Sequence, residues 1–377
     1  MSSLNNIAFV DLKAQQARLK SQIDERMARV LAHGKYIMGP EVAEFETALA
    51  EFANARDAIG VANGTDALHI ALMAEDIGPG DAVFLPSFTF TATAEVVLLR
   101  GAEPVFCEVN GRTFNIDTSK LLSKIERVSQ EGRLRPRAII AVDLFGMPAD
   151  YENLAKICKA NDLFLLADAA QSFGATLGTE RVGTLTPVTA TSFFPAKPLG
   201  CYGDGGALIT NDPDRAARFR SIRAHGKGGD KYDIMRIGLN SRLDTLQAAI
   251  LLVKILIFQD ELDARKRVAG MYSDRLGGVV TTPQIDNASQ SAWAQYAILL
   301  DNRDAIAGQL KENGIPTAIY YPKPMHLQSA YLDCGDGVGS LPVSEMLSDR
   351  ILCLPMHPYL DEKTIDGICS HIRAAVS

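Results

Sequence analysis

Apolar and polar positions along the chain follow two rhythms. Residues 10–34 (VDLKAQQARLKSQIDERMARVLAHG) and 40–53 (PEVAEFETALAEFA) repeat their apolar residues at helical spacing, with a Gly-Pro break between them. Short continuous apolar runs follow: AIGVAN (58–63), AVFLP (82–86), PVFCEV (104–109), AIIAVDLF (138–145) and LFLLADAA (163–170). Runs without alternation are the pattern of strands whose sheet is covered by helices on both faces. Helix-like segments separate them, among them GTDALHIALMAE and TATAEVVLLRG. The βα alternation predicts an α/β layered domain with a mostly parallel sheet.

The pattern changes after residue 200. GGALIT (205–210) reads as a strand, DPDRAARFRSIRAHG (212–226) as a helix with an Asp cap, and GKGGDKYD (226–233) as a glycine-rich loop. Residues 241–278 read as one long helix or two in line. Within them LQAAILLVKILIF (246–258) is too short for a bilayer span and is interrupted by Lys254. It predicts a buried helix face at a domain or subunit contact. Past about residue 280, SAWAQYAILL, RDAIAGQLKENG, RILCLPM and DEKTIDGICSHIRAAV give fresh strand and helix units. The expected organisation is a large α/β domain over 1–250, then a linking helix and a small C-terminal α+β domain over 251–377.

Bulk properties narrow the function. A chain of 377 residues suits two domains, and 47% hydrophobic with 22% charged residues is globular composition. The net charge of −7 argues against a nucleic-acid binder, which needs a basic face. Six cysteines without CxxC spacing read as free thiols of a cytoplasmic protein, and six histidines without HExxH spacing point to no metal site. MSSLNNIAFVDLKAQQARLK lacks the layout of a secretory signal.

Three stretches carry candidate chemistry. In ANGTDAL (62–68) a strand meets a helix start, where free backbone N–H groups bind anions; Gly64, Thr65 and Asp66 form an anion cup or an ordinary N-cap. Neither GxxxxGK[ST] nor GxGxxG accompanies it. In LLADAAQSFGA (165–175), Asp168 ends an apolar strand, with Gln171 three residues on. Asp168 either caps the next turn or faces a cation in the crevice at the strand ends. In SFFPAKPLGCYGDGGA (192–207), Lys197 follows Phe193-Phe194-Pro195. It is either a solvated loop lysine or a buried one with a depressed pKa, whose neutral amine is a nucleophile. Ser192 adds a hydroxyl donor. An anion cup, a carboxylate for a ring nitrogen and a poised lysine together suggest pyridoxal phosphate.

At this point the chain resembles the DegT/StrS-type nucleotide-sugar aminotransferases, within the fold type I pyridoxal-phosphate enzymes. FVDLKAQ, GKYIMGPEVAEFE, ANGTDAL, PSFTFTATAEVV, ADAAQSFGA, SFFPAKPLGCYGDGGA, GLNSRLDTLQAAIL, YYPKPMHLQ and LPMHPYLD carry the resemblance, in the family's order over nearly the whole chain. The resemblance implies that Lys197 is the Schiff-base lysine, Asp168 the partner of the pyridine nitrogen and Gln171 a neighbour of the ring hydroxyl. It implies a phosphate cup of Gly64, Thr65 and Ser192 with Asp66 beside it, and Phe90 stacked on the cofactor ring. Asn240 is then the residue that reaches the phosphate from the neighbouring subunit of a homodimer. The activity implied is transfer of an amino group from L-glutamate to C3 of a nucleotide-linked 3-keto sugar by ping-pong chemistry, with pyridoxamine phosphate between the halves. The chain looks most like the members acting on UDP-2-acetamido-2-deoxy-3-oxo-D-glucuronic acid, on the route to diamino uronic acids of lipopolysaccharide. Arg242, Tyr320, Tyr321 and His326 are the implied sugar-site residues, Arg242 suited to a carboxylate; relatives often carry His at the position of Tyr320. The alternatives are amination of a dTDP-linked 3-keto-6-deoxyhexose and a non-catalytic regulatory protein that kept the fold. The glycines of 226–233 permit a loop over the sugar-nucleotide phosphates.

Overall fold

In the computed structural model, residues 7–230, 232–285 and 288–376 are described. The first six residues of the N-terminal reading and Lys231 of the glycine-rich loop lie outside the described residues. The elements run α1 (Leu12–His33), α2 (Pro40–Ala53), β1 (Asp57–Val61), α3 (Gly64–Ala74), β2 (Asp81–Pro86), α4 (Ala92–Leu99), β3 (Glu103–Cys107), α5 (Thr118–Glu131), β4 (Arg135–Val142), α6 (Tyr151–Asn161) and β5 (Phe164–Asp168). Two-residue strands β6 (Thr176–Leu177) and β7 (Glu180–Arg181) precede β8 (Val188–Ser192), β9 (Gly206–Thr210), α7 (Pro213–Ile222), α8 (Thr245–Lys254) and α9 (Phe258–Leu276). The chain ends with β10 (Ser289–Gln290), β11 (Tyr296–Leu299), α10 (Arg303–Glu312), α11 (Pro342–Arg350), β12 (Ile351–Leu354) and α12 (Glu362–Val376).

Helix limits follow local chemistry. Asp11 accepts from the Ala14 N–H to start α1, and Gly34 ends it in the left-handed region at φ 69°. The expected Asp cap of α7 is Asp212, which accepts from the Asp214 and Arg215 N–H groups. The 241–278 stretch is two helices in line, α8 and α9, joined by a tight turn at 255–257.

Seven strands form the central sheet in the order β1-β9-β8-β5-β4-β2-β3. Pairings among β2, β3, β4, β5 and β8 are parallel, whereas β9 runs antiparallel to both β8 and β1. GGALIT is therefore the strand that departs from the parallel expectation. Along β4, Ala138 and Ile140 pack under α3 and α4 while Ile139 and Ala141 pack under α5 and α6. Burial on both faces is why these strands show no alternation in sequence. The apolar stretch of α8 packs inside the chain, against α1 and α2. Its Lys254 is buried because the ammonium donates to the Gly200 carbonyl at 2.6 Å and lies 4.1 Å from the Tyr202 ring centre. Burial lowers its pKa to about 8.

A second core lies around the antiparallel pair β11–β12, under α10, α12 and the end of α9. The core changes midway along α9: Phe258 and Leu262 belong to the large unit, Val268 to Leu276 to the small one. Ile7 and Phe9, near the N-terminal end, also pack on the small unit, and the Met356 N–H donates to the Phe9 carbonyl.

A buried ion pair fastens the β1 edge. Arg223, at the end of α7, donates to Glu46 on α2 and to the Gly60 carbonyl at 2.7 Å; the Gly60 N–H donates to the same Glu46 oxygen at 2.8 Å. Removing one partner strands the other charge. Arg223→Met is expected to destabilise the protein by about 3–5 kcal/mol in urea unfolding, and Arg223→Met/Glu46→Gln to recover part of that loss. An unchanged urea midpoint in the single variant would contradict this account.

Candidate active site

The parallel strands end on one edge of the sheet, and the candidate residues gather there. At the start of α3, Asn63 sits in extended conformation and its Oδ1 accepts from the Asp66 N–H at 2.7 Å. That leaves the Gly64 and Thr65 N–H groups unpaired at the positive end of the helix, facing a cavity they line. Asp66 itself does not line that cavity. Gly64 is obligatory for steric reasons: a Cβ there would lie 2.7 Å from the Ser192 Cβ. A Cβ on Gly206 would meet the Asn63 carbonyl carbon at 2.4 Å. Strands β8 and β9 thus press against the helix start and put Ser192 beside the free N–H groups.

Asp168 ends β5 and is buried. Its Oδ2 accepts from the Thr93 hydroxyl at 2.9 Å and its Oδ1 from the Ala170 N–H at 3.3 Å. Burial raises its pKa; those hydrogen bonds and the nearby Lys197 charge pull the other way without cancelling it. A cationic ring nitrogen against Asp168 favours its ionised form. Behind it, Asp143 follows β4, fully buried. It accepts from Ser172 Oγ at 2.6 Å, Tyr151 OH at 2.7 Å and the Ala149 N–H at 2.8 Å. Burial pushes the Asp143 pKa up to about 7, with the Asp168 charge adding to the rise.

Lys197 stands on a tight turn in which its own N–H donates to the Phe194 carbonyl at 2.8 Å and Cys201 N–H to the Phe193 carbonyl at 2.8 Å. Phe193 anchors the turn, fully buried edge-on against Phe45. Lys197 is half-buried and lines the cavity. Among the described residues nothing hydrogen-bonds its ammonium. Burial lowers its pKa, and Asp168 only partly opposes this. The amine is therefore poised to be neutral, and nucleophilic, nearer physiological pH than a surface lysine.

Aromatic residues close the other side. Phe90 and Tyr321 lie 6.2 Å apart between ring centres, Tyr320 and Tyr321 5.8 Å. Gln171 spends both ends of its amide, accepting from the Phe145 N–H at 2.7 Å and donating to Tyr321 OH at 3.3 Å. Burial raises the Tyr321 pKa, so its hydroxyl stays protonated. The cavity holds about 440 Å³, within the usual range for cofactor sites.

One cavity thus brings together Gly64, Thr65, Phe90, Asp168, Gln171, Ser192, Lys197, Tyr320 and Tyr321. Asn240 and Arg242 lie outside it, hydrogen-bonded to each other at the surface. His326 is a correction to the expected sugar site. It is buried outside the cavity, its Nδ1 2.7 Å from Ser87 Oγ and its Nε2 3.2 Å from Glu345, so both ring nitrogens are already engaged. The described residues of 226–233 do not line the cavity either; the Gly228 N–H donates to the Asp233 carbonyl at 2.7 Å. Sequence reasoning passed over Thr93, Asp143, Asp204 and Gln295. The rule that singled out Asp168, an acid at the end of an apolar strand, applies equally to Asp143 in AIIAVDLF. Asp204 stood unremarked within the Lys197 stretch. Nothing local marked Thr93 or Gln295.

The family model described as the DegT/DnrJ/EryC1/StrS aminotransferase family matches residues 17–373. The chain is 47% identical, over 97% of its length and 99% of the relative's, to a UDP-2-acetamido-2-deoxy-3-oxo-D-glucuronate aminotransferase of Pseudomonas aeruginosa. It is 37% identical to a dTDP-3-amino-3,4,6-trideoxy-alpha-D-glucose transaminase of Streptomyces venezuelae, over 96% of this chain and 95% of that one. A crystal structure of a DegT DnrJ EryC1 StrS aminotransferase from Brucella abortus superposes with a TM-score of 0.96 at 51% identity, covering 98% of this chain and 99% of that one.

Asp143 carries a testable pH signature. Its pKa rises on folding from 3.8 to about 7, so between about pH 4 and 7 the folded chain binds more protons than the unfolded one. This group's contribution to stability is present at low pH and is lost as pH rises through that window. Asp143→Asn, which cannot titrate, is expected to flatten the pH dependence of the urea midpoint between pH 4 and 7. An identical slope in wild type and variant would refute the assignment.

Proposed function

Given that the chain belongs to the DegT/DnrJ/EryC1/StrS aminotransferase family, we propose that it transfers the amino group of L-glutamate to C3 of UDP-2-acetamido-2-deoxy-3-oxo-D-glucuronic acid. It is a pyridoxal-phosphate-dependent sugar aminotransferase. The observation that carries the chemistry is the convergence of a desolvated lysine, a buried carboxylate and two unpaired helix-start N–H groups on one cavity. The residues fit that cofactor: Gly64, Thr65 and Ser192 have donors for a phosphate, in a cradle that a Cβ on residue 64 would obstruct. The preference for a UDP-uronate rests on the 47% identity to the Pseudomonas relative, against 37% for the dTDP-sugar transaminase.

When bound, the cofactor supplies an aldehyde that condenses with amines and a cationic ring that draws electrons from the attached carbon. Lys197 would hold the aldehyde between turnovers. Its freed Nζ would carry the proton from Cα of glutamate to the cofactor and, in the second half, from the cofactor to C3 of the sugar. Asp168 keeps the ring nitrogen protonated, and Thr93 fixes the carboxylate plane through its hydrogen bond. Phe90 would cover the ring face and Gln171 would border its hydroxyl; both line the cavity. Tyr320 and Tyr321 line the sugar side.

Arg242 and Asn240 act in this reading from the neighbouring subunit of a homodimer, Arg242 toward the uronate carboxylate. Their position outside their own cavity supports it, as do the exposed apolar side chains Ile234, Met235 and Ile237 nearby in sequence. A cytoplasmic location is part of the same reading, in keeping with six unpaired cysteines. Among the described residues no helix is long and apolar enough to cross a membrane.

The test is spectroscopic and kinetic. The purified protein is expected to show a visible absorption band that glutamate shifts into the ultraviolet, and Lys197→Ala to lower turnover by at least about a thousandfold while keeping the fold. A folded, active Lys197→Ala enzyme would sink the assignment. Turnover of a UDP-linked 3-keto uronate but not of a dTDP-linked 3-keto-6-deoxyhexose is the expected preference; the reverse would transfer the substrate to the second class.

A further inference from the structure

Gln295 lines the same cavity as Lys197 but is contributed by the small unit, just before β11. Its Oε1 is shut off from solvent and has no hydrogen-bond partner. Among the described residues nothing hydrogen-bonds its Nε2 either. Gln171, a few residues away in space along the same seam, has both ends of its amide satisfied. A buried amide carbonyl without a partner is costly, and the free protein leaves this one so.

The backbone around Gln295 is held in an uncommon way. Ala292 N–H donates to the Gly146 carbonyl at 3.0 Å, and Gln295 N–H reaches the Phe145 carbonyl at 3.4 Å. Phe145 and Trp293, neither a glycine, both lie at positive φ (59° and 49°). A Cβ on Gly146, itself at φ 103°, would lie 2.7 Å from the Trp293 nitrogen. The two units are therefore stitched backbone to backbone, with left-handed residues on both sides of the seam. Strain of this kind persists where the surroundings over-determine it, typically beside a functional site. Its effect here is to fix an unpaired amide in the wall of the cavity.

We propose that Gln295 recognises the acetamido group at C2 of the sugar. The inference rests on the reading of the substrate given above and adds the residue that reads this substituent. C3 must lie within reach of Lys197, and the acetamido group is on the adjacent carbon, so its reader has to line this cavity. The acetamido group is a trans amide, with its N–H and carbonyl on opposite edges, so Gln295 meets one edge: its Nε2–H group can donate to the acetamido carbonyl. Rotation about the last side-chain bond of Gln295 sets which end of its amide faces the ligand. A hydroxyl at C2 lacks the acetyl group and does not extend its oxygen to the same donor. A carboxylate calls for a cation, which Gln295 is not.

The test compares two non-reacting probes that differ only at C2, UDP-N-acetylglucosaminuronic acid and UDP-glucuronic acid. Their binding to the cofactor-loaded enzyme is measured by calorimetry. Wild type is expected to bind the acetamido probe at least about tenfold more tightly. Gln295→Leu should lose most of that preference, through weaker binding of the acetamido probe. Gln295→Glu, nearly isosteric and able only to accept, should also lose it, and serves where the leucine variant does not load cofactor. A full preference retained in a loaded variant overturns the role of Gln295, as does a wild type with no preference between the probes. Wild type that binds neither probe overturns the uronate reading itself, and this inference with it.

Discussion

Asp168 and Lys197 share one poorly solvated cavity, and neither has a protein partner that satisfies its charge. Burial favours the neutral form of each: it raises the carboxyl pKa and lowers that of the amine. The Coulomb attraction between them opposes both shifts and overcomes neither. A cationic heterocycle with an aldehyde relieves the pair at once, because it gives Asp168 a cation and Lys197 a carbon to attack. The chemistry of the site is in this sense a consequence of desolvation, and the rest of the structure serves to maintain it.

Maintenance falls on elements that never touch a ligand. Asp168 is aimed by its place at the end of β5 and held by Thr93 from α4. The turn that carries Lys197 is held on its far side by Lys254, whose buried ammonium binds the Gly200 carbonyl. A Cβ at Gly200 would collide with the Pro195 carbonyl oxygen at 2.5 Å, so the turn can be this tight only with glycine there. The phosphate cup depends on two more close approaches, at Gly64 and Gly206, where side chains would separate β8 and β9 from the start of α3. Asp143 lies behind Asp168, sharing a backbone hydrogen bond of 3.1 Å from its N–H to the Asp168 carbonyl.

The small unit closes the site from the other side, and His326 explains how its segment is placed. Its Nδ1 lies 2.7 Å from Ser87 Oγ and its Nε2 3.2 Å from Glu345, so both ring nitrogens have a hydrogen-bond partner. The backbone N–H of Met325 also donates to the Ser87 carbonyl at 2.7 Å. Ser87 leads directly into Phe88 and Phe90, while residues 325–326 follow Tyr320 and Tyr321 after Pro322-Lys323-Pro324. One buried histidine thus sets the distance between two aromatic walls. Its motif lay close to the sugar-site residues in sequence, which is why it was expected among them.

Much of the architecture was legible in the chain itself. Doubly covered strands need uninterrupted apolar runs and helices need periodic ones, so β2 to β5 and α2, α3, α4 and α7 could be placed from local pattern alone, with side-chain caps at α3 and α7. Gly64, Thr65, Asp168 and Ser192 stood out for a related reason: each sits where a strand ends or a helix begins, and such junctions leave a mark in a few consecutive residues; Lys197 stood out by its apolar and glycine-rich surroundings on the turn after β8. Only the tertiary structure decided the direction of β9, because pairing depends on which strand lies next to it and an apolar run reads the same either way. It decided that Lys254 is buried, since the Gly200 carbonyl that satisfies it is 54 positions away in the chain. It also buried His326 away from the cavity, placed Thr93 and Asp143 against Asp168, and brought Gln295 into the cavity wall. Their roles lie in burial and in partners distant in sequence, and no local pattern of residues encodes a desolvated amide or carboxyl.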